Sequence, residues 1–362
     1  MPPQPRPGIL ATEPYQGGEK ELPGFSRVAR LASNENPFGA SPRALETYDA
    51  ARADLNRYPD GHSAGLRAAI GEVHGLDPAR IVCGAGSDEL IALLTQAYAG
   101  PGDRVVYSRH GFLMYPIFAT TAGATPVAAP ETELTADVDA ILARVTPETR
   151  AVFLANPNNP TGTYLSGADL ARLHAGLRED VLLVIDAAYA EYATAGDYSD
   201  GAELAARSEN VVVTRTFSKI YGLAGLRIGW AYGPPAIADV LNRLRMPFNL
   251  ATPAQAAGDA AVRDRDFVAR SVAHNTEWRG WFRERARAAG IEALPSEANF
   301  VLLRFAGEDA ADAALATFKA GGVLVRQMGK YGLPDCLRVS IGGSGDMQMA
   351  ADALDAFAGH PA

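Results

Sequence analysis

The chain has almost no cysteine. Cys83 and Cys336 are its only two, far apart in sequence and without CxxC partners. Neither a disulfide framework nor a cysteine-based zinc site is therefore expected, and both thiols read as reduced and structural. The six histidines include no pair at metal-ligand spacing, so no metal is expected. Positive charge is also in deficit. The 33 Lys and Arg stand against 42 Asp and Glu, a net charge of -9, which argues against a protein that tracks a phosphate backbone. No uninterrupted apolar run reaches bilayer-spanning length, and the opening "MPPQPRPGILATEPY" lacks the apolar core of a signal peptide. Together these absences predict a cytoplasmic protein with neither nucleic acid nor membrane as partner.

What is present is an ordinary globular composition, 48% hydrophobic and 21% charged, in 362 residues. At roughly 150 residues per domain that allows about two domains. Residues 1–40 are rich in Pro and Gly and end in "LASNENPFGAS", an irregular arm that delivers Ser41 as helix N-cap and Pro42 as first helical residue. A helix carrying Leu45, Tyr48, Arg52 and Leu55 is expected next. From Arg80 onward short apolar runs alternate with helix-like stretches such as "SGADLARLHAGLRED": "RVVYS", "TPVAA", "AVFLA", "VLLVID", "NVVVTRT" and "RIGWAYG". Strands apolar on both faces and alternating with helices predict an α/β domain with a mostly parallel sheet covered on both sides. After Thr252 a long helical stretch, residues 253–290, leads into three expected strands, "NFVLLRF", "GGVLVRQM" and "LRVSIGG". The spacing predicts an arm over 1–40, a large domain over 41–255 and a smaller α+β domain over 256–362, which the arm completes.

Ligands of open parallel sheets sit at the carboxyl ends of the strands, and the distinctive motifs fall there. "GAGSDE", residues 84–89, opens a helix. Gly84 and Gly86 permit a tight turn, and amides at the helix N-terminus can hold a phosphate if Asp88 and Glu89 point away from it. The same stretch also reads as a plain strand-to-helix turn. "ANPNNPTG", residues 155–162, is either a simple turn or a platform presenting the Asn159 amide to a ligand. "VIDAAYAEY" ends a strand with Asp186, a helix cap or the partner of a buried cation, and Tyr189 lies three residues on. "TRTFSKIYGLAGLRIGW", residues 214–230, sets Lys219 just past an apolar run and follows it with a glycine-broken loop and Arg227. A lysine near a phosphate site, an aspartate and an arginine is what an aldehyde cofactor requires. The amine can form a Schiff base, and the carboxylate can hold a ring nitrogen protonated.

The order "GAGSDE", "NPNNPTG", "DAAY", "TFSK", "GLRIGW", "LRVSIG" closely resembles the fold-type-I pyridoxal-phosphate aminotransferases. The "NENP" and "RYPDG" segments make it most similar to the histidinol-phosphate aminotransferase branch. The resemblance implies a mostly parallel seven-stranded sheet in a large domain that binds pyridoxal 5'-phosphate, with a smaller α+β domain. It implies Lys219 as Schiff-base lysine and proton shuttle, Asp186 on the pyridine nitrogen, and Tyr189 and Asn159 on the 3' oxygen. Phe112 of "HGFLMY" would stack on the ring, although it and Tyr115 also read as core aromatics. Ala85 and Gly86, through backbone amides, would surround the phosphate with Thr216, Ser218 and Arg227. Tyr58 of "RYPDG" would reach that phosphate from the second subunit of a homodimer. Arg338 would clamp a substrate carboxylate, and Tyr15, Asn34 and Arg326 would line the substrate pocket.

The reaction so implied is amino transfer between histidinol phosphate and 2-oxoglutarate, a step of histidine biosynthesis. An aromatic aminotransferase and a phosphothreonine decarboxylase-like enzyme share the scaffold. A non-catalytic cofactor-binding regulator is disfavoured, because such proteins carry a DNA-binding segment ahead of this region and the residues before Ser41 read as an irregular arm.

Overall fold

The computed structural model describes residues 3–13, 19 and 21–359. At its centre is a seven-stranded sheet. From one edge it runs Ile81–Gly84, Gly229–Tyr232, Val211–Thr216, Leu182–Asp186, Thr149–Ala155, Arg104–Ser108 and Thr125–Ala129. Gly229–Tyr232 is antiparallel to both neighbours and the other pairings are parallel, so the sheet is mostly parallel as the alternating pattern predicts. Its central strands Leu182–Asp186 and Val211–Thr216 are buried at every position. Continuous burial explains why their sequences show no polar alternation.

Register places the chemistry. Ala155 pairs with Asp186 and Asp186 with Thr214, so three neighbouring strands end side by side at their carboxyl edge. Local capping fixes the helices that follow. Ser41 accepts from the Ala44 N–H at 3.1 Å with Pro42 in the first turn, and Ser166 accepts from the Asp169 N–H at 3.1 Å. The helix after Ser41 is shorter than the sequence suggests. It spans Pro42–Ala50 and passes into a 3-10 turn, Ala51–Asp54, and Leu45, Tyr48 and Leu55 all stay exposed.

The long helical stretch expected over 253–290 is two helices, Thr252–Arg263 and Arg265–Ala288. Asp264 leaves helical geometry at ψ 72° and its carboxylate accepts from the Phe267 N–H at 3.3 Å, capping the second helix. The first helix packs on Pro42–Ala50 and Ala64–His74, and its Ala254, Ala257, Ala261 and Val262 extend the apolar core of the large sheet. The second leads to a separate core around Phe282, Val301, Leu303, Phe318 and Leu354.

That core lies against a four-stranded antiparallel sheet in the order Glu292–Ala293, Phe300–Arg304, Cys336–Ser340, Arg326–Gln327. "GGVLVRQM" is therefore not one strand. Val323–Leu324 pairs in parallel with Ala29–Arg30 of the arm, whereas Arg326–Gln327 turns to pair with Cys336–Ser340. Among the described residues no helix is long and apolar enough to cross a membrane.

Candidate active site

A cavity of roughly 530 Å³ opens at the carboxyl edge of the large sheet, between it and the smaller domain. Its lining brings together Lys219, Asp186, Tyr189, Asn159, Phe112, Thr216, Ser218, Arg227, Arg338, Arg326 and Asn34, residues spread over three hundred positions of sequence. Tyr15 lies outside the described residues. Tyr58 does not line the cavity of its own chain. It is 83% exposed and stacks on Phe248 with ring centroids 4.7 Å apart.

Asp186 ends its strand at the cavity with only 5% of its surface exposed. Burial pushes its carboxyl up to about 6. The Tyr115 hydroxyl, donating to Oδ2 at 2.9 Å, works against that rise, as does Thr214 Oγ1 at 3.3 Å from Oδ1. Lys219 Nζ donates to the Ser33 carbonyl at 3.1 Å. Burial, reinforced by the Arg338 guanidinium, lowers its ammonium to about 8. An amine in this condition is neutral for a substantial part of the time near neutral pH and can act as a nucleophile or base.

The loop after Lys219 is held by close backbone contact. Gly222 sits at φ +67° and its N–H donates to the Lys219 carbonyl at 3.1 Å; a Cβ there would fall 1.9 Å from the Gly39 oxygen. Only glycine meets both conditions.

Tyr189 is fixed from the opposite side. Asn34 Nδ2 donates to its hydroxyl at 2.9 Å, and Asn34 is itself tied to Ser340 by two 2.8 Å bonds and to Asn299 Nδ2 at 3.0 Å. The arm thus joins the smaller domain to a cavity side chain. Asn159 Oδ1 accepts from Arg338 Nη1, so the side chain's remaining hydrogen-bonding groups are the two amide N–H bonds. Arg338 also donates to the Ala32 carbonyl at 2.8 Å and lies over the Phe300 ring at 5.2 Å.

At the turn from Gly84 into the helix Ser87–Tyr98, the amides named from the sequence have other partners. The Ala85 N–H donates to Glu89 Oε2 at 2.5 Å, and the Gly86 N–H donates to the Gly84 carbonyl at 2.8 Å. Both amides named from the sequence are therefore already engaged, and neither residue lines the cavity. Ser87 and Asp88 line it instead. They begin the helix Ser87–Tyr98, whose first amides have no carbonyl of their own helix to bond. Gly86 serves by its size: at φ +87°, a Cβ would meet Arg227 Nη2 at 2.5 Å. Of the two acids only Glu89 turns aside, since Asp88 itself lines the cavity. Glu89 is held by Ala85 and by Asn249 Nδ2 at 2.8 Å, and Asp88 pairs with Arg227 Nη2 at 3.1 Å. Arg227 Nη1 reaches Ser218 Oγ at 3.2 Å, and Thr216 Oγ1 accepts from the Ser218 N–H at 3.1 Å.

These donors suit a phosphorylated aromatic aldehyde. The lining combines helix-start residues, a guanidinium and hydroxyls with a buried carboxylate and an amine of lowered basicity.

Comparison with known proteins agrees with that chemistry. Residues 26–357 match the family described as aminotransferase class I and II. The chain is 60% identical to the histidinol-phosphate aminotransferase of Rhodospirillum centenum, over 97% of this chain and 98% of that protein. It is 54% identical to the corresponding protein of Paramagnetospirillum magneticum, over 99% of each. Among solved structures, the histidinol-phosphate aminotransferase of Sinorhizobium meliloti in complex with pyridoxal-5'-phosphate superposes with a TM-score of 0.87 at 30% identity, covering 92% of this chain and 91% of that one.

Proposed function

The chain belongs to the class I and II aminotransferase family, and from that premise we propose that it uses pyridoxal 5'-phosphate to move an amino group from histidinol phosphate to 2-oxoglutarate. The names of the relatives support the donor. The observation that carries it for this chain is a pair of arginines. Arg326 and Arg338 are direct partners in the antiparallel register of the small sheet, and both side chains line the cavity. Two guanidinium groups on one cavity wall suit a ligand that brings negative charge to them. A phosphorylated donor and a dicarboxylic acceptor both do so.

Bound in the cavity, pyridoxal 5'-phosphate supplies an electron sink for the donor's Cα. The Ser87 and Asp88 amides, Ser218 Oγ, Thr216 Oγ1 and Arg227 would hold its phosphate. Asp186 would keep the ring nitrogen protonated, the Asn159 amide and Tyr189 hydroxyl would meet the ring oxygen, and Phe112 would cover the ring face. Lys219 Nζ is the group able to carry the covalent link and to take and return the Cα proton.

The substrate reading has a direct test. Arg326→Ala is expected to lower kcat/KM for histidinol phosphate by about 10- to 1,000-fold, roughly 1.4 to 4 kcal/mol for a charge-assisted contact, with a smaller loss on phenylalanine. Steady-state kinetics on both donors decides it. Equal losses, or turnover of phenylalanine with none of histidinol phosphate, would move the assignment to an aromatic aminotransferase.

A homodimer is part of the same proposal. Leu45, Tyr48, Leu55, Tyr58, Leu244, Met246 and Phe248 are all exposed, Leu55 at 67% and Met246 at 69%, and Tyr58 stacked on Phe248 joins the two stretches of chain. Exposed apolar side chains in this number call for cover, and a second copy would carry Tyr58 toward the neighbouring cavity. Mixing inactive Lys219→Ala chains with Tyr58→Phe chains of low activity should then restore activity above either parent. Complementation that never exceeds the parents, with subunit exchange demonstrated, counts against shared sites.

A further inference from the structure

Tyr115 lies beneath the cavity and not in its lining, yet its hydroxyl ends on the one carboxylate the proposed chemistry depends on. The phenol is fully buried. It sits in the first turn of Met114–Ala122, where its N–H donates to the Phe112 carbonyl at 3.0 Å. Its ring stacks on Phe153 at 5.2 Å and 23° and meets the edge of Phe112 at 5.8 Å and 86°. A Cβ on Gly111 would already touch that ring at 3.4 Å. The ring has little room to turn, so the O–H direction is set by packing, and it is set on Asp186 Oδ2 at 2.9 Å.

The geometry points to Tyr115 as a positioning residue that holds Asp186 ionised and aimed, and through Asp186 keeps the shared proton on the cofactor's ring nitrogen. This rests on the cofactor reading given above.

The physical argument runs through competition for one proton. A buried carboxylate facing a protonated ring nitrogen can take that proton and become neutral, and the electron-withdrawing character of the ring is then lost. A neutral O–H donor to the carboxylate favours its ionised form without adding a charge. Thr214 Oγ1, at 3.3 Å, is the weaker of the two side-chain donors by distance. Asp88 faces both Asp186 and Tyr115 and opposes ionisation of the carboxylate, and Tyr331 faces Tyr115 from the smaller domain. Lys219, Tyr189 and Arg338 share the cavity but make no hydrogen bond to Asp186 among the described contacts. Tyr115 is thus the principal device that offsets burial.

The test uses the loaded enzyme with an isotope-labelled ring nitrogen, read by NMR, beside the pH profile of kcat. Tyr115→Phe keeps the ring and removes the donor. The ring-nitrogen resonance should move toward the neutral form at neutral pH, and the acid limb of kcat should rise by about one pH unit, with KM for 2-oxoglutarate unchanged. Incorporating 3-fluorotyrosine at position 115, a stronger donor of nearly the same shape, should shift both readouts the opposite way, and it serves if the phenylalanine variant does not fold. Opposite displacements support the role. Resonance and acid limb unchanged in the variants overturn it, whatever happens to the melting temperature. Should the unsubstituted chain bind no pyridoxal 5'-phosphate, the functional reading fails separately. Titration of the carbon-labelled Asp186 carboxyl in the cofactor-free chain still decides the pair: an upward displacement in Tyr115→Phe supports it, and coincident curves overturn it.

Discussion

Lys219→Ala is expected to lower kcat of amino transfer by at least about 10⁴-fold while the chain stays folded, because one amine is asked to be both the covalent anchor and the proton carrier. No other cavity residue can take over both tasks. Arg338, Arg326 and Arg227 present guanidinium groups, which donate hydrogen bonds but offer no primary amine for a covalent link, and Asp186 is committed to Tyr115 and Thr214. Among the described residues few polar contacts hold the side chain, one hydrogen bond to the Ser33 carbonyl and an approach to the Tyr189 ring at 5.9 Å. Folding should therefore survive, as a melting curve of the variant would show. A small primary amine added to the variant should restore part of the lost rate, which separates a missing proton carrier from a damaged site. Borohydride reduction of the unsubstituted enzyme should leave the pyridoxyl group on Lys219 in a peptide map. A variant that retains a tenth of the parent rate, or a label on another lysine, would reject the role.

Much of this site is readable from the sequence because it follows strands that are buried on both faces. "VLLVID" and "NVVVTRT" have no alternation to misread, and motifs at their carboxyl ends fall into one crevice by topology. What escaped detection depends on which partner a group has already taken. Ala85 and Gly86 read as phosphate-binding amides from the sequence, which cannot show that their N–H groups donate to Glu89 and to the Gly84 carbonyl while Ser87 and Asp88 line the cavity. Tyr115 reads as a core aromatic, and most of it is. Only its hydroxyl differs, and that meets a residue 71 positions away.

Arg215, inside the run "NVVVTRT", is 4% exposed and bridges Glu191 at 2.7 Å and Asp200 at 2.5 Å with its guanidinium over the Trp230 ring, a pairing no local pattern announces. The break at Asp264 has no glycine or proline to announce it. A side-chain cap alone starts the new helix.

Asp186→Asn is expected to slow Cα deprotonation by about 10³-fold or more while cofactor remains bound, and at the same time to stabilise the cofactor-free chain. The two effects have one cause. In the folded chain without cofactor the carboxyl is raised to about 6 from 3.8, because burial penalises its charge more than Tyr115 and Thr214 compensate. Between those two values the folded state holds more protons than the unfolded state, so this group makes stability fall as pH rises, and above about 6 the full penalty persists. Two units correspond to roughly 3 kcal/mol, and removing the charge recovers up to that amount at about pH 8 and roughly half of it at about pH 5. The amide oxygen still accepts from Tyr115, and the NH2 takes the place of the oxygen that accepted from Thr214, whose hydroxyl can turn to accept from it. Bound cofactor reverses the preference. A protonated ring nitrogen compensates the carboxylate, and the asparagine variant forgoes that pairing, so the stabilising effect should shrink or change sign in the loaded enzyme. Denaturant midpoints at the two pH values, with and without pyridoxal 5'-phosphate, and the single-turnover rate give all the quantities. A cofactor-free variant less stable than its parent at about pH 8, or a half-reaction at the parent's speed, would remove Asp186 from the ring-nitrogen role.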